Sequence, residues 1–525
     1  EIYTLSLRDA LPISPAAKGW RFVVLDGNDA GYGVIGDAQL AWFRETLGQA
    51  KAAGEKVICF CHFSALKAAA EHHRLAKPEP VLAALDDAGC VVAWIAGHDH
   101  AGGYALRKGV HHVTLRGLVE AGGATAFARF ELADSRLRET GFGNEPGREL
   151  PFGPGAAAPR RLSFENGRIW PDDTGAHINA HGGGILFRDG VYYWYGEHKI
   201  AGEAGNVAHV GVHVYSSRDL TNWKDEGVAL KVSDDPASEI TKECVLERPK
   251  VIFNATTGKY VMWFHLELKG KGYGAARSGV AVADAPAGPF TYLRSERPDA
   301  GAWPVNVTEE QKAALATAET LKGRTFSGGP NAETPKHCIL ARDFAGGQMA
   351  RDMTLFVDDD GQAYHIFASE ENSTLHISLL SGDYLSHAGK YARVFENRWN
   401  EAPAVCKRGG RYWLLTSGCT GWAPNAARAA VAPSIWGPWK ELGNPCAGVN
   451  PQNRLGPEKT FGGQSTYILP VQGKKDAFIA MFDIWKPKNA VDGRYVWLPM
   501  VFTEEGFTLT WRDTWDLGAF ETPAP

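Results

Sequence analysis

The chain has 525 residues, of which 44% are hydrophobic and 22% charged, with a formal net charge of −5. That length exceeds one ordinary core, so two or more domains are expected, and the charge balance points to neither a nucleic-acid nor a membrane-surface partner. Eight cysteines (Cys59, Cys61, Cys90, Cys244, Cys338, Cys406, Cys419 and Cys446) form no CxxC pair or compact framework, which argues against structural zinc and leaves the redox compartment open.

Residues 1–14 open with EIYTLSLRDALPI. This stretch resembles the in-frame translation of a sequencing adapter, with Arg8 where that translation has His, and is set aside from fold reasoning. The reading frame is therefore expected to start inside a longer gene. A periplasmic or secreted parent is the expectation, although no signal peptide is visible.

Residues 15–133 alternate strand and helix patterns. Arg21 to Leu25 and Val57 to Cys61 read as buried strands, and Gln39 to Ala53 carries helical periodicity through Leu40, Phe43 and Leu47. A third apolar run, Val91 to Ala96, delivers Gly97-His98-Asp99-His100, and the second delivers His62. Histidines at the ends of neighbouring strands meet at one edge of an α/β layer, where such layers bind ligands. The GHDH turn, His62 and the following Gly102-Gly103-Tyr104 resemble the C-terminal half of a calcineurin-like metallophosphoesterase, most closely the ADP-ribose/CDP-alcohol diphosphatase branch. The resemblance implies that His62, His98 and His100 are metal ligands, for divalent metals of the Mn, Fe or Zn type. The DxH, GDxxD and GNHD motifs that complete such a site do not precede His62, and three neutral imidazoles cannot offset the charge of two ions. A truncated fragment, inactive as a phosphoesterase, is expected.

Residues 134–160 are rich in Gly, Pro and Ala without periodicity and read as a linker. Residues 161–525 then repeat a turn followed by an aromatic-rich strand five times: at Asp189–Tyr195, Gly258–Phe264, Gly361–Phe367, Gly410–Leu415 and Lys475–Met481. Repeats of short strands predict a mainly β domain, a five-bladed β-propeller. A loop insertion, helical over Glu309 to Thr320, accounts for the long gap between the second and third repeats.

Before each repeated hairpin stands a polar residue at the head of an apolar strand: Asn179 and His181, Glu247, Asp352, Glu401 and Gln464. Burying unpaired carboxylates is costly, so several of them at one axis point to a site. Glycoside hydrolysis needs a carboxylic acid at the leaving oxygen and a second group for water or the sugar. The segments Asp352-Met-Thr-Leu-Phe-Val-Asp-Asp-Asp-Gly361 and Glu401-Ala-Pro403 resemble glycoside hydrolase family 43. The resemblance implies that Glu401 is the general acid and that Asp352 orients it and tunes its pKa. The family's usual blade-one aspartate is replaced by His181-Gly-Gly-Gly-Ile185, which, with Glu247-Arg-Pro-Lys250 and Gly-Gly-Gln464, resembles the exo-β-1,3-galactanase branch. There a glutamine holds the water, so Gln464 takes that role and Glu247 contacts substrate or water. His181 titrates in a useful range and is the alternative base, or a structural residue. Asn179, His181 and Trp422 are expected at the substrate, and Trp194 and Trp485 are further candidates for stacking on sugars. No cofactor is expected for the propeller.

The function expected is an inverting, exo-acting galactan 1,3-β-galactosidase on arabinogalactan-type polysaccharide. An α-L-arabinofuranosidase or β-galactofuranosidase of the same family, and a non-catalytic carbohydrate-binding propeller, are the alternatives. The expected partner is a polysaccharide or oligosaccharide substrate.

Overall fold

The computed structural model describes residues 13–66, 69–118, 125–207, 209–315 and 338–521. Residues 1–12 of the adapter-like segment, and Ala316 to Thr320 of the expected insertion helix, lie outside them; the helix begins as expected, at Glu309–Leu315. The chain divides into two compact units, 1–164 with 514–516, and 165–513 with 517–525.

The first unit holds a six-stranded sheet whose central strands, Trp20–Leu25, Lys56–Cys61, Val91–Ala96 and Val110–Thr114, run parallel. Helices Asp37–Ala52 and Glu79–Ala88 bury Phe43, Leu47, Val81 and Leu85 in its core. Continuous apolar strands are what a parallel sheet covered by helices requires.

The expected linker over residues 134–160 is corrected. Arg136–Gly143, Arg148–Pro151 and Arg160–Arg161 are strands of a four-stranded antiparallel sheet with Ala126–Leu132. Leu137, Glu139 and Leu150 are fully buried, and Arg148 Nη1 donates to Glu139 Oε2 at 2.7 Å. A buried ion pair on a strand's inner face reads as polarity in the sequence and hides the period-two alternation. Gly141 and Gly143 reflect close packing, since a Cβ there would lie 2.0 Å from the Glu145 oxygen and 1.7 Å from the Thr125 oxygen.

The second unit is mainly β. Four four-stranded antiparallel sheets begin with His181–Arg188 (sheet I), Val245–Asn254 (sheet II), Met353–Val357 (sheet III) and Asn400–Arg408 (sheet IV). A three-stranded one begins with Gln464–Pro470 (sheet V). The five first strands neighbour one another in that order, and the last returns to the first. The five aromatic-rich repeats fall on the second strands, Val191–Lys199, Lys259–Glu267, Ala363–Ser369, Arg411–Gly418 and Phe478–Ile484. Their alternating faces fill the cores between sheets, with Trp263 and Phe367 between II and III, and Trp413 and Phe482 between IV and V.

First strands of four sheets carry a bulge near their heads: between His181 and Gly184, Glu247 and Lys250, Glu401 and Ala404, and Ser465 and Tyr467. In three of them the next residue is left-handed, Gly182 at φ 60°, Arg248 at 56° and Ala402 at 51°. A bulge bends the strand and re-aims a side chain. Here it sets His181, Glu247 and Glu401 at one phase.

Candidate active site

The heads of the first strands open into one cavity lined by Glu197, Glu247, Arg248, Asp352, Glu401 and Gln464, with Lys199, Tyr273, Trp422 and Trp485. All four expected catalytic residues therefore meet in one place, and Trp422 joins them at its mouth, 44% exposed and edge-on to Trp485.

Glu401 accepts a hydrogen bond from Asn372 Nδ2 at 2.8 Å. Burial, then the negative charge of Asp352, push its carboxyl up to about 7, against a hydrogen bond from Cys419 and the nearby Arg248. A carboxylic acid still protonated near neutrality is a competent proton donor. Asp352 Oδ2 accepts from Arg248 Nη2 at 2.9 Å.

Arg248 is the hub that the sequence reading passed over. It is buried, and the same Nη2 donates to Gln464 Oε1 at 2.6 Å, while its Nη1 reaches the Ser465 carbonyl at 3.2 Å. Gln464 Oε1 also accepts from Trp485 Nε1 at 3.0 Å, and Gln464 Nε2 donates to Ser417 Oγ at 3.0 Å. The amide is thus fixed in orientation by three partners. Its oxygen already accepts two hydrogen bonds, so it suits holding a group in place more than taking up a proton.

Glu247 accepts from His265 Nδ1 at 3.0 Å and from the Tyr273 hydroxyl at 2.9 Å. Burial acts to raise its pKa, but the His265 hydrogen bond and charge outweigh it and hold the carboxyl down at about 2. His265 Nε2 in turn lies 2.9 Å from Glu267 Oε1. Burial opposes the charged imidazole, yet the two glutamates prevail and push His265 up to about 9. Glu247, His265 and Asp352 form the one set among the described residues whose possible ligand atoms lie within 4.8 Å of one another. Both nitrogens of His265 face carboxylates and Asp352 is held by Arg248, so the set works as an ion-pair network, with no lone pair of His265 left for a metal.

Two further carboxylates were missed. Glu197, fully buried, accepts the Arg248 backbone N–H at 3.0 Å and pairs with Lys199 Nζ at 2.5 Å. Asp483 lies opposite Gln464 on the neighbouring strand, takes the Gly182 N–H at 2.5 Å, and is pushed up to about 7 by burial. The signal for Glu197 was present, a Glu and a Lys two apart at the end of a strand otherwise read as core.

Three expected substrate contacts are corrected. His181 is fully buried beneath Tyr495, whose ring stacks on it at 5.6 Å, and neither ring nitrogen has a hydrogen-bond partner among the described residues. Burial, reinforced by Lys199, holds its pKa well below the usual histidine value, and the fully buried ring offers no exposed edge to a sugar. The Asn179 amide is spent on the backbone of Lys199, donating to its carbonyl at 2.8 Å and accepting its N–H at 2.9 Å. Trp194 is core, packed against Trp170, Trp223, Tyr495 and Trp497.

In the first unit His62 Nε2 meets His98 Nδ1 at 3.0 Å, and His98 Nε2 meets the Tyr32 hydroxyl at 2.5 Å. His100 lies near enough for its charge to lower the pKa of His98, after burial and the charges of His62 and His73. The adjacent carboxylate, Asp99, accepts the Ala70 N–H at 2.8 Å and the Ala101 N–H at 3.3 Å. Among the described residues, these histidines and Asp99 alone do not supply the bridging carboxylates that a pair of divalent ions calls for.

The first strands of the five sheets converge on one cavity lined by Glu247, Asp352 and Glu401, an arrangement that glycoside hydrolysis can use, and the comparisons with known proteins agree. The profile described as glycosyl hydrolases family 43 matches residues 304–459. A solved GH43 β-1,3-galactosidase, with galactodeoxynojirimycin, is 51% identical, with a TM-score of 0.62 over 67% of this chain and 100% of that one. An exo-β-1,3-galactanase from Clostridium thermocellum is 35% identical, with a TM-score of 0.53 over 67% of this chain and 66% of that one. One from Phanerochaete chrysosporium, solved with β-1,3-galactotriose, is 30% identical, with a TM-score of 0.53 over 68% of each. The chain belongs to glycoside hydrolase family 43 and is a glycosidase. Its N-terminal region is similar to manganese-dependent ADP-ribose/CDP-alcohol diphosphatases, 32% identical over 137 residues to that of Oryza sativa subsp. japonica and 33% over 123 residues to that of Homo sapiens. The matches span 26% and 23% of this chain, and 41% and 36% of those relatives.

Proposed function

We propose that the second unit is a five-bladed β-propeller acting as an inverting, exo-acting galactan 1,3-β-galactosidase on arabinogalactan-type polysaccharide. The observation that carries this reading is the pairing, in one cavity, of a carboxyl raised to about 7 at Glu401 with an amide fixed by Arg248, Trp485 and Ser417 at Gln464. Glu401 gives its proton to the leaving glycosidic oxygen while Asp352 keeps that proton on the acid at neutral pH. Gln464 positions the attacking water, which forms the new C–O bond as the glycosidic one breaks and releases its proton to solvent; Glu247 holds substrate or water through a charge secured by His265, and Trp422 stacks on a sugar face. Likeness to β-1,3-galactosidases supports the choice of substrate.

The first unit is proposed to be a phosphoesterase remnant without diphosphatase activity, because the carboxylate-bearing DxH, GDxxD and GNHD motifs of a two-metal site do not occur ahead of His62 in this sequence. The test is a screen of the purified protein against β-1,3-galactan, arabinogalactan, arabinan and xylan, with ADP-ribose plus manganese alongside. Galactose release from the first two alone is the expected result. Activity confined to arabinan or to a β-galactofuranoside would replace the substrate assignment.

A further inference from the structure

One side chain touching Glu401 has no role so far. Asn372 sits in the turn between the second and third strands of sheet III, Ala363–Ser369 and Thr374–Leu380. Three successive non-glycine residues there are left-handed, Glu370 at φ 51°, Glu371 at 58° and Asn372 at 68°. Left-handed backbone costs an L-residue roughly 1–2 kcal/mol, and such strain persists only where the surroundings over-determine it.

They do so here. The Glu370 carboxylate is buried and gripped by both sides of the Arg393 fork, Nε to Oε1 at 2.6 Å and Nη2 to Oε2 at 2.8 Å, with His376 Nε2 2.8 Å away. Glu371 receives Arg342 Nη1 at 3.0 Å on one oxygen and Arg351 Nη2 at 3.1 Å on the other. Charge-assisted pairs of this kind, the first of them two-pronged, are the strong ones. The third residue of the turn is thereby presented to Glu401, with its Nδ2 2.8 Å from Oε1. The amide's oxygen is buried and has no partner among the described residues. The amide is thus turned to serve Glu401 while its own acceptor goes unsatisfied, at a cost of about 1–3 kcal/mol. In this orientation it stabilises the ionised carboxylate. A half-turn would offer the oxygen to the O–H of the protonated acid, so one side chain can pair with either state.

We infer that Asn372, delivered by this locked left-handed turn, is a positioning residue for Glu401, holding the carboxyl in its aim and setting the balance between its protonated and ionised forms. The inference rests on Glu401 being the acid, as proposed above.

Asn372→Gly tests it, because glycine takes φ 68° without strain and removes only the amide. Loss of a donor to the ionised form disfavours that form. The alkaline limb of kcat/KM, where the acid loses its proton, should therefore move to higher pH. The variant's kcat should fall about tenfold or more on an unactivated β-1,3-galactobioside and much less on a dinitrophenyl β-galactoside, whose departure needs no acid. Asn372→Asp, adding a second negative charge, should move the limb further in the same direction. Equal losses on both substrates, or a limb that stays where the wild type has it in both variants, would overturn the inference. Glu401→Gln run in parallel keeps the two claims apart: if that variant hydrolyses the galactobioside at the wild-type rate, it is the acid assignment that fails.

Discussion

Glu401→Gln should abolish hydrolysis and, at the same time, stabilise the protein in a pH-dependent way. The carboxyl is pushed by burial and by Asp352 from an ordinary 4.5 to about 7. At about 1.4 kcal/mol per tenfold, that displacement corresponds to roughly 3 kcal/mol. The direction follows from proton binding. Between the two values the unfolded chain has released this proton while the folded one keeps it, so wild-type stability falls as pH rises through that window. Below it the group contributes no penalty, and above it the full penalty applies. Glutamine titrates nowhere, so the stability of the variant relative to wild type should rise by on the order of 2–3 kcal/mol between pH 4 and pH 8. Urea unfolding followed by tryptophan fluorescence at several pH values measures the difference, and kcat on a galactobioside should fall about 10²–10⁴-fold. A stability difference that stays flat with pH would show that Glu401 ionises like any surface carboxylate and is not a poised acid.

Arg248→Met should lower stability by about 3 kcal/mol, because Asp352 loses its buried partner; it should also slow hydrolysis by freeing Gln464, and an unchanged kcat would remove Arg248 from the site's working parts. Trp422→Ala should raise KM about 3–10-fold on galacto-oligosaccharides with little change in kcat, in keeping with stacking worth about 0.5–1.5 kcal/mol; steady-state kinetics on a length series is the check. His181→Leu should leave both limbs of the pH–rate profile in place, since the imidazole is buried and held neutral; a lost limb would restore it as a base. A chain beginning at Arg161 should fold and hydrolyse like the whole one, as assayed by circular dichroism and galactose release.

The parts of the fold legible in the sequence were those where one residue pattern answers one physical demand. An aromatic-rich strand after a glycine turn recurs because each second strand packs on both faces, as Trp263 and Trp413 do. The polar heads of the first strands were legible because a carboxylate such as Glu401 or Glu247 before an apolar run has few bland explanations. What stayed hidden depends on partners far along the chain. His181 has the same phase as Glu247 and Glu401, yet Tyr495, and Trp485 at 6.3 Å, cover it, and nothing near His181 announces them. Arg248 stood inside a segment already singled out, but its worth lies in reaching Asp352 and Gln464, 104 and 216 residues away. Asn372 is invisible for a like reason, since its delivery depends on the grip of Arg393, Arg342 and Arg351 on the two residues before it.

The most direct test of the account is to follow the first turnovers on a β-1,3-galacto-oligosaccharide by proton NMR. Water attacking the face opposite the departing sugar inverts the anomeric centre. Galactose should therefore be released from the chain end first as the α-anomer, with the β-anomer growing in only by mutarotation. Initial release of β-galactose would show that a second carboxylate attacks the sugar, and would contradict the roles given to Glu401 and Gln464.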